Sequence, residues 1–346
     1  MNEESAASGT TPGLVCAHHH LYSALARGMP APPRVPRDFT DILDLVWWRL
    51  DRALDLETIR WSALLGALEA LESGTTAIID HHSSPSAIEG SLDVIADACA
   101  EVGVRVVCCY EVTDRNGPDG AKAGLAENER FLRAGGRGLV GAHACFTLTN
   151  ETLDAVCGTA ADLGVGVHIH VAEDAVDVRS GVRLAGRARD DWLLAHCVHL
   201  DRTLPGTVVH NPRSNLNNGV GYGRPARFPR VALGTDGIGA DMLDEFRLAF
   251  VLARDSDLTS TPDQAWTWLE AGAALVPDVL EDVVTWSYTP VEPGRLAYTT
   301  DVRAERVAVG GEIVLDELGP TRVDSAEIRA RAGEHAARLF RRMEEI

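Results

Sequence analysis

Histidines occupy the positions in this sequence where chemistry is most readily expected. Eleven of the twelve lie between His18 and His210, and most of them end short apolar runs rich in β-branched residues. The clearest runs are LVCAHHHL, AIIDHH, GLVGAHA, GVHIHVAED, WLLAHCVHL and TVVHNP, and a further run, VALGTDG, ends in Asp236. A few imidazoles with one carboxylate form a mononuclear catalytic metal site, in which one position is left to water. The pattern therefore predicts a metal-dependent active site.

Spacing within these runs selects the ligands. Residues i and i+2 of a strand share a face, so His18 and His20 can point together into one site. His19 would then point the other way, and a pairing around His19 is the alternative. A second such pair, His168 and His170, ends another strand. The ligands predicted for one divalent ion are His18, His20, His170 and Asp236.

Two further residues are suited to proton transfer and orientation. Water bound to such an ion has its pKa lowered towards 7 and becomes a nucleophile at neutral pH. The nitrogen beside the attacked carbon then needs a proton, which a nearby carboxylate can carry. We predict Glu173, shortly after His170, as this proton shuttle. His196 ends the next strand and could hydrogen-bond the nucleophile, although a histidine that only packs behind the ligands is the alternative.

Composition limits the partners and the compartment. The net charge of −19 argues against nucleic acids and anionic membrane surfaces, since both need a basic footprint. No apolar stretch reaches 18 residues, so no transmembrane helix is expected. The seven cysteines are unevenly spaced and several fall in predicted core strands, which indicates reduced thiols in a cytoplasmic protein. The first dozen residues lack the basic and apolar regions of a secretory signal.

Strand and helix patterns alternate along the chain. Helical stripes occur at 57–72, 88–102 and 151–163, and buried-strand patterns occur near 13–18, 75–81, 104–112, 138–145, 165–171, 192–197, 207–210 and 231–236. Eight such strands alternating with helices predict an α/β fold of the (β/α)₈ type, whose active site lies at the carboxyl ends of the strands. We expect a flexible segment at 1–12, a hydrolase barrel at 13–280, and a partial β-sandwich with a C-terminal helix at 281–346.

Several stretches resemble the amidohydrolase superfamily, in its deaminase and chlorohydrolase branch, and most of all the SsnA-type aminohydrolases. They cover most of the chain and include LVCAHHHLYSALARGM, LVWWRLDRALD, SGTTAIIDHHSSP, YEVTDRNG, GAHACFT, VHIHVAED, LAHCVHL, HNPRSNLNN and LGTDGIGADM. Full-length members of that family begin with several strands of a small β-sandwich, whereas this chain starts about a dozen residues before its first barrel strand. The strands after the barrel are therefore expected to form only part of such a sandwich.

The resemblance implies a role for each matched residue. It assigns the metal to the four residues named above, the proton shuttle to Glu173 and the orientation of water to His196. Asp236 would also take the proton of the attacking water, and His143 matches a position that usually touches substrate. Relatives with two metals use a carboxylated lysine at the fourth strand, whereas the only lysine of this chain is Lys122. A mononuclear site is therefore expected.

Other residues near strand ends are weaker candidates for substrate contacts. Arg213 and Asn215 follow the seventh strand, and a guanidinium such as that of Arg213 suits a planar polar acceptor on the substrate. His82 and Asp114 are further candidates, with stabilisation of their loops as the alternative. A helical segment carries Trp47, Trp48 and Asp51, which could line the pocket, form an interface or pack in the core.

The function predicted from these features is metal-dependent hydrolysis of a carbon–nitrogen bond. The expected reaction is deamination of an aminated nitrogen heterocycle, purine- or pterin-like, with release of ammonia. Alternatives at the same site are opening of a cyclic amide and displacement of chloride or a substituted amine; a non-catalytic metal-binding paralogue is another. Zinc is the expected ion and iron the alternative. The expected partner is a small heterocyclic substrate, with a homodimer as the assembly to consider.

Overall fold

A ring of parallel strands organises the chain. The computed structural model describes residues 9–237 and 239–346. A short strand, β1 (Thr10–Thr11), precedes eight strands that run parallel to their neighbours. These are β2 (Leu14–His19), β3 (Thr75–His82), β4 (Arg105–Tyr110), β5 (Val140–Ala144), β6 (Val167–Val171), β7 (Leu193–His196), β8 (Thr207–His210) and β9 (Val231–Leu233).

Isolated bridges close the ring. Strands β2 to β4 form one ladder and β5 to β9 form another. The bridges Cys108 to Gly138 and Val112 to Ala142 join β4 to β5, and a bridge from His19 to Asp236 joins the first strand of the ring to the last. The predicted (β/α)₈ barrel is therefore confirmed. Its strands are almost entirely buried, as expected when a sheet is covered on both faces.

Helices surround this ring. They are α1 (Phe39–Ile42), α2 (Trp48–Arg52), α3 (Leu56–Glu72), α4 (Ser91–Val102), α5 (Gly117–Arg133), α6 (Asn150–Leu163), α7 (Ser180–Leu184), α8 (Pro212–Asn217), α9 (Met242–Ser256), α10 (Pro262–Glu270), α11 (Gly272–Leu275), α12 (Pro293–Leu296) and α13 (Ser325–Glu344), with a π-helical turn at Leu43–Trp47 between α1 and α2. Between β7 and β8, residues 197–206 form turns and no helix. That crossover is trimmed because so few residues cannot hold a packed helix.

A small antiparallel sheet lies beside the barrel. Its order is β1, β10 (Val283–Trp286), β11 (Ala304–Val309), β12 (Glu312–Asp316) and β13 (Gly319–Pro320). Within the segment expected to be flexible, Thr10 pairs with Thr285 and Thr11 with Val284. β-Branched threonines suit a strand, and they satisfy the backbone edge that β10 would otherwise expose. Residues 1–8 lie outside the described part of the chain.

The C-terminal helix joins the barrel through α3. The carboxylate of Asp55 caps α3 at Thr58 and also binds Arg338 and Arg342 of α13. Side chains on one face of α13, including Leu339, are buried against the barrel. The helix therefore covers α3 through an apolar face, with ion pairs at its side.

All seven cysteines are unpaired thiols, and all but Cys157 are buried. Burial raises the pKa of the Cys16 thiol to about 11, so this sulfur stays protonated and unreactive at neutral pH. Across residues 9–237 and 239–346, no helix has the length and apolar character needed to cross a membrane.

Truncation of Leu339 tests the docking of α13. Leu339 is fully buried, so Leu339→Ala should lower the free energy of unfolding by about 2–5 kcal/mol because it leaves a cavity. Urea denaturation measures this change. Leu318→Ala is the control, since Leu318 is 93% exposed and its loss should change stability by less than about 0.5 kcal/mol. Equal losses in the two variants would contradict the packing of α13.

Candidate active site

Four side chains predicted as ligands converge at the carboxyl ends of the strands. The Oδ1 atom of Asp236 lies 3.4 Å from His18 Nε2 and 2.8 Å from His20 Nε2. His170 joins them, because its Nε2 lies 3.4 Å from His20 Nε2. The structure therefore brings together residues from the first, fifth and eighth strands of the ring. His19 points away from this group, with its Nδ1 2.8 Å from the hydroxyl of Thr235.

Backbone carbonyls orient two of these rings. His20 Nδ1 donates to the carbonyl of His81 at 2.5 Å, and His170 Nδ1 donates to the carbonyl of His143 at 2.9 Å. A carbonyl oxygen only accepts, so each Nδ1 carries the proton and each Nε2 keeps its lone pair for the centre of the group. Burial also lowers the pKa of His170 well below its ordinary value, which favours the neutral ligand form.

The group has the properties of a metal site. One donor atom each from His18, His170, His196 and Asp236 lies within 4.8 Å of the others. The Nε2 atoms of His18 and His196 are buried and have no hydrogen-bond partner. Unpartnered buried nitrogens are unfavourable, and a cation among them would satisfy both. Because imidazoles with one carboxylate suit zinc-type chemistry, these residues fit a divalent ion. The sequence did not predict how close His196 stands to the ligands.

His170 can bind only one metal ion. Two neighbouring groups, His20 with His81 and Glu111 with His143, could each hold a cation only by sharing His170. The Nδ1 of His170 is engaged by a carbonyl, so this ring offers a single nitrogen. The geometry therefore favours one metal, in agreement with the missing lysine on β5.

Asp236 is held in a strained conformation. Its φ of 58° lies in the left-handed region, where a residue other than glycine is disfavoured by about 1–2 kcal/mol. Burial alone would raise the pKa of its carboxyl, yet the imidazoles of His18 and His20 beside it lower that pKa well below the usual range. The hydroxyl of Ser214 donates to the other carboxylate oxygen. Asp236 is therefore ionised and fixed towards the histidines.

Glu173 and His196 form the second half of the site. His196 Nδ1 donates to Asn215 Oδ1 at 2.7 Å, which leaves its Nε2 facing Glu173 Oε2 at 3.5 Å. Asn218 donates to the other oxygen of Glu173 at 3.4 Å. Burial raises the pKa of Glu173 to about 7, opposed by His196 and assisted by the negative charge of Asp236. A carboxyl with this pKa can take up and release a proton at neutral pH.

These groups line a narrow pocket of about 50 Å³, beside a larger cavity of about 410 Å³. Ser23, Trp47, Asn218 and Gly237 border both spaces. Trp47 and Trp48 therefore line the pocket, which was one of the placements that the sequence left open. Asp51, which the sequence left open in the same way, also lines the pocket, together with Tyr22, Glu111 and Asn218, which the sequence did not single out.

His143 is placed at the pocket as the resemblance implied. Its Nδ1 lies 2.6 Å from the hydroxyl of Thr147, and that hydroxyl donates to the carbonyl of Ala144 at 3.1 Å. The hydroxyl proton is used, so His143 Nδ1 donates and its Nε2 lone pair stays free. Burial lowers the pKa of His143 to about 4, which makes it neutral at pH 7.

Two of the predicted substrate contacts lie elsewhere. The guanidinium of Arg213 turns to α9 and donates from Nε to Glu245 at 2.8 Å, because the buried carboxylate there needs a partner. Asn215 is buried behind His196 and accepts its Nδ1 proton. Arg213 is therefore removed from the substrate contacts, and Asn215 becomes a positioning residue.

The other two weaker candidates stabilise loops. His82 is fully buried, with its Nε2 2.8 Å from the hydroxyl of Ser84, and it does not line the pocket. Asp114 accepts from the backbone of Thr149 at 2.6 Å and from the hydroxyl of Thr152 at 2.8 Å, at the start of α6. Neither side chain faces the pocket, because His82 donates to the hydroxyl of Ser84 and donors at the start of α6 engage Asp114.

Glu111 is the polar residue of the pocket that sequence reasoning missed. It directly follows β4, whose sequence RVVCCY is an apolar run like those that precede the histidines. The same signal, a polar residue at the end of a buried strand, could have identified it.

Comparison with known proteins agrees with this fold. The model of the amidohydrolase family matches residues 10–274, so the chain belongs to that family. A curated relative, the 5'-deoxyadenosine deaminase of Methanopyrus kandleri, is 33% identical over 273 residues. That match covers 70% of this chain and 61% of the relative, so the chain spans about three fifths of that protein. The resemblance to the deaminase and chlorohydrolase branch is thereby confirmed.

Solved structures share the fold. An adenosine deaminase of Xanthomonas campestris superposes with a TM-score of 0.77 at 22% identity, covering 95% of this chain and 85% of that one. The atrazine chlorohydrolase of Arthrobacter aurescens TC1 superposes with a TM-score of 0.76 at 20% identity, covering 94% and 88%. At these identities the likeness establishes the architecture of the barrel with its small sheet.

Removal of a histidine from the group tests the metal site. His170→Ala should reduce metal retained after dialysis by more than the 10- to 100-fold that loss of a supporting contact costs, because it deletes a donor atom. Elemental analysis by plasma mass spectrometry measures the content. Arg213→Ala is the matched control and should retain the metal, since Arg213 contacts Glu245 outside the group. Full metal content in His170→Ala would rule out this site.

Proposed function

We propose that this protein is a metal-dependent aminohydrolase that removes an amino group from a nitrogen heterocycle and releases ammonia. The observation that carries this proposal is the pairing of two features in one pocket. Glu173, with a pKa near neutrality, lies 3.5 Å from a histidine whose Nε2 belongs to the candidate metal group. Hydrolytic deamination needs both an activated water and a group that moves a proton to the ring.

The names of the relatives support a purine-like substrate. The Methanopyrus kandleri relative is a 5'-deoxyadenosine deaminase, and the Xanthomonas campestris neighbour is an adenosine deaminase. Both act on a six-membered aminated ring, which a pocket lined by Trp47, Trp48 and Tyr22 could hold between aromatic surfaces. We therefore propose an aminopurine or a close analogue as the substrate class.

We propose zinc as the ion. The Xanthomonas and Arthrobacter neighbours were solved with zinc, and the donor set here suits that metal. His18, His20, His170 and Asp236 are the proposed ligands. A divalent ion held by them would lower the pKa of water and so supply a nucleophile at neutral pH.

The protein's own residues would then move the protons. Asp236, ionised and held by Ser214, accepts the proton of the attacking water. Glu173 protonates the ring nitrogen beside the attacked carbon, which is favoured by a pKa of about 7. His196, fixed by Asn215, orients the nucleophile through Nε2. As the tetrahedral intermediate collapses, Asp236 gives its proton to the amine, the bond from carbon to nitrogen breaks and ammonia leaves. The hydroxyl proton of the intermediate returns to Glu173 as the carbonyl forms.

The charge of the pocket supports a small-molecule substrate, and the reduced cysteines support the proposed location. Carboxylates of Asp51, Glu111, Glu173 and Asp236 line the pocket and disfavour polyanionic ligands. Unpaired cysteines, six of them buried, support a cytoplasmic location.

A screen for ammonia release tests the reaction. Metal-loaded protein should release ammonia from at least one member of a panel of aminopurines, their nucleosides, aminopterins and aminopyrimidines. A coupled glutamate dehydrogenase assay measures the product, and metal-free protein is the control. Release of chloride from chlorinated rings without any ammonia from the panel would contradict deamination. Absence of all turnover in fully loaded protein would favour a non-catalytic metal-binding protein.

Replacement of Glu173 tests the proton shuttle. Glu173→Gln should reduce kcat at least about 100-fold, because the amide cannot carry the proton, while metal content stays close to that of the unchanged protein. Steady-state kinetics and elemental analysis measure the two quantities. Activity that survives this substitution would show that another group moves the proton.

A further inference from the structure

The carboxylate of Glu111 has only long contacts with its charged neighbours. Glu111 is 4% exposed and lines the pocket. Its nearest charged neighbours are His81 Nδ1 at 3.4 Å from Oε2 and Arg115 Nη2 at 3.8 Å from Oε1. At these separations both contacts are weak, so most acceptor positions of the carboxylate stay open towards the pocket.

The neighbours of Glu111 keep it charged but leave its oxygens open. Although burial raises the pKa of this carboxyl, the nearby His143, His81 and Arg115 together lower it well below the usual range. Arg115 is paired with Asp51, and its guanidinium also lies 5.0 Å from the ring centre of Trp48. An ionised carboxylate has about four acceptor positions, and burying them without donors is unfavourable.

A second acceptor lies beside this carboxylate. The Nε2 lone pair of His143 is free, because Nδ1 donates to Thr147. An oxygen of Glu111, a nitrogen of His143 and a nitrogen of His170 lie within 4.8 Å of one another. This wall of the pocket therefore presents acceptors only, and it lies close enough to the candidate metal group to touch the same substrate ring.

We infer that Glu111 is a specificity-determining residue that selects a ring with a second amino group besides the one that is removed. This inference rests on the proposed deamination and names its substrate class as a diaminated heterocycle. A carboxylate oxygen accepts the N–H of the second amino group in a charge-assisted hydrogen bond. A ring with a carbonyl oxygen at the same edge is rejected, because two sets of lone pairs would face each other without a proton.

Matched pairs of ligands test this role. Adenine is compared with 2,6-diaminopurine, and 4-aminopyrimidine with 2,4-diaminopyrimidine, since each pair differs by one amino group. Calorimetric titration of metal-loaded Glu173→Gln protein measures affinity without turnover. In at least one pair, the diaminated ring should bind about 10- to 100-fold more tightly, the range expected for a hydrogen bond to a buried charge. Addition of Glu111→Gln should reduce this ratio to less than about threefold.

Two further variants separate recognition from folding. Glu111→Asp keeps the charge and withdraws the acceptor, so its preference should fall between those of the other two proteins. Glu129→Gln is the control, because Glu129 lies on the exposed face of α5, pairs with Arg133 and changes the charge equally. Its preference should equal that of the protein with Glu129 intact. Thermal unfolding checks that each variant is folded.

The outcomes separate this inference from the proposed function. Equal affinities within both pairs, or no binding of either diaminated ring, would overturn the role of Glu111. A preference for ribosides over free bases that ignores the second amino group would overturn it too, because ribosyl hydroxyls would then be the donors. A clear preference in binding without ammonia release from any ring would count against deamination and leave the role of Glu111 standing.

Discussion

The contact between Asp236 and the end of β2 holds both the barrel and its chemistry together. Backbone groups of Asp236 pair with His18 and His20, which closes the ring between the last strand and the first. The side chain of the same residue approaches the Nε2 atoms of those two histidines. The strained φ of Asp236 is the consequence, because one residue must satisfy the backbone ladder and aim its carboxylate inward. Closure of the ring and assembly of the candidate metal group therefore depend on the same residue.

A layer of carbonyl groups beneath the site converts the ends of the strands into oriented ligands. His20 and His170 each donate from Nδ1 to a carbonyl of a neighbouring strand end. His81 lies deeper, with its Nε2 3.1 Å from the carbonyl of Ala142 and 3.2 Å from that of His168. Because carbonyls accept only, this layer selects the tautomers that leave lone pairs pointing to the centre. A parallel barrel supplies it naturally, since every strand ends at the same rim.

Electrostatics divide the pocket into two parts. Among the described residues no arginine acts on Glu173, and burial raises the pKa of its carboxyl to about 7. This carboxyl can therefore take up and release a proton at neutral pH. Glu111 lies near Arg115, His81 and His143, so it stays ionised and acts only as an acceptor. Two buried glutamates in one small pocket thus acquire different roles from their neighbours. The proposed deamination would use the first carboxyl for proton transfer and the second for recognition.

Local sequence determined much of this protein. The apolar runs that end in histidine identified the barrel strands and the residues that converge on the site, since strand periodicity and the common rim follow from the chain alone. The local sequence could not determine which polar side chains near the strand ends face the pocket. Arg213 and Asp114 stand at strand ends as the histidines do, yet partners far along the chain, Glu245 and Thr149, hold them elsewhere. Thr10 and Thr11 likewise joined the small sheet through residues near 285. Such pairings, and with them the acceptor role of Glu111, depend on distances across the folded barrel, which only the tertiary structure decided.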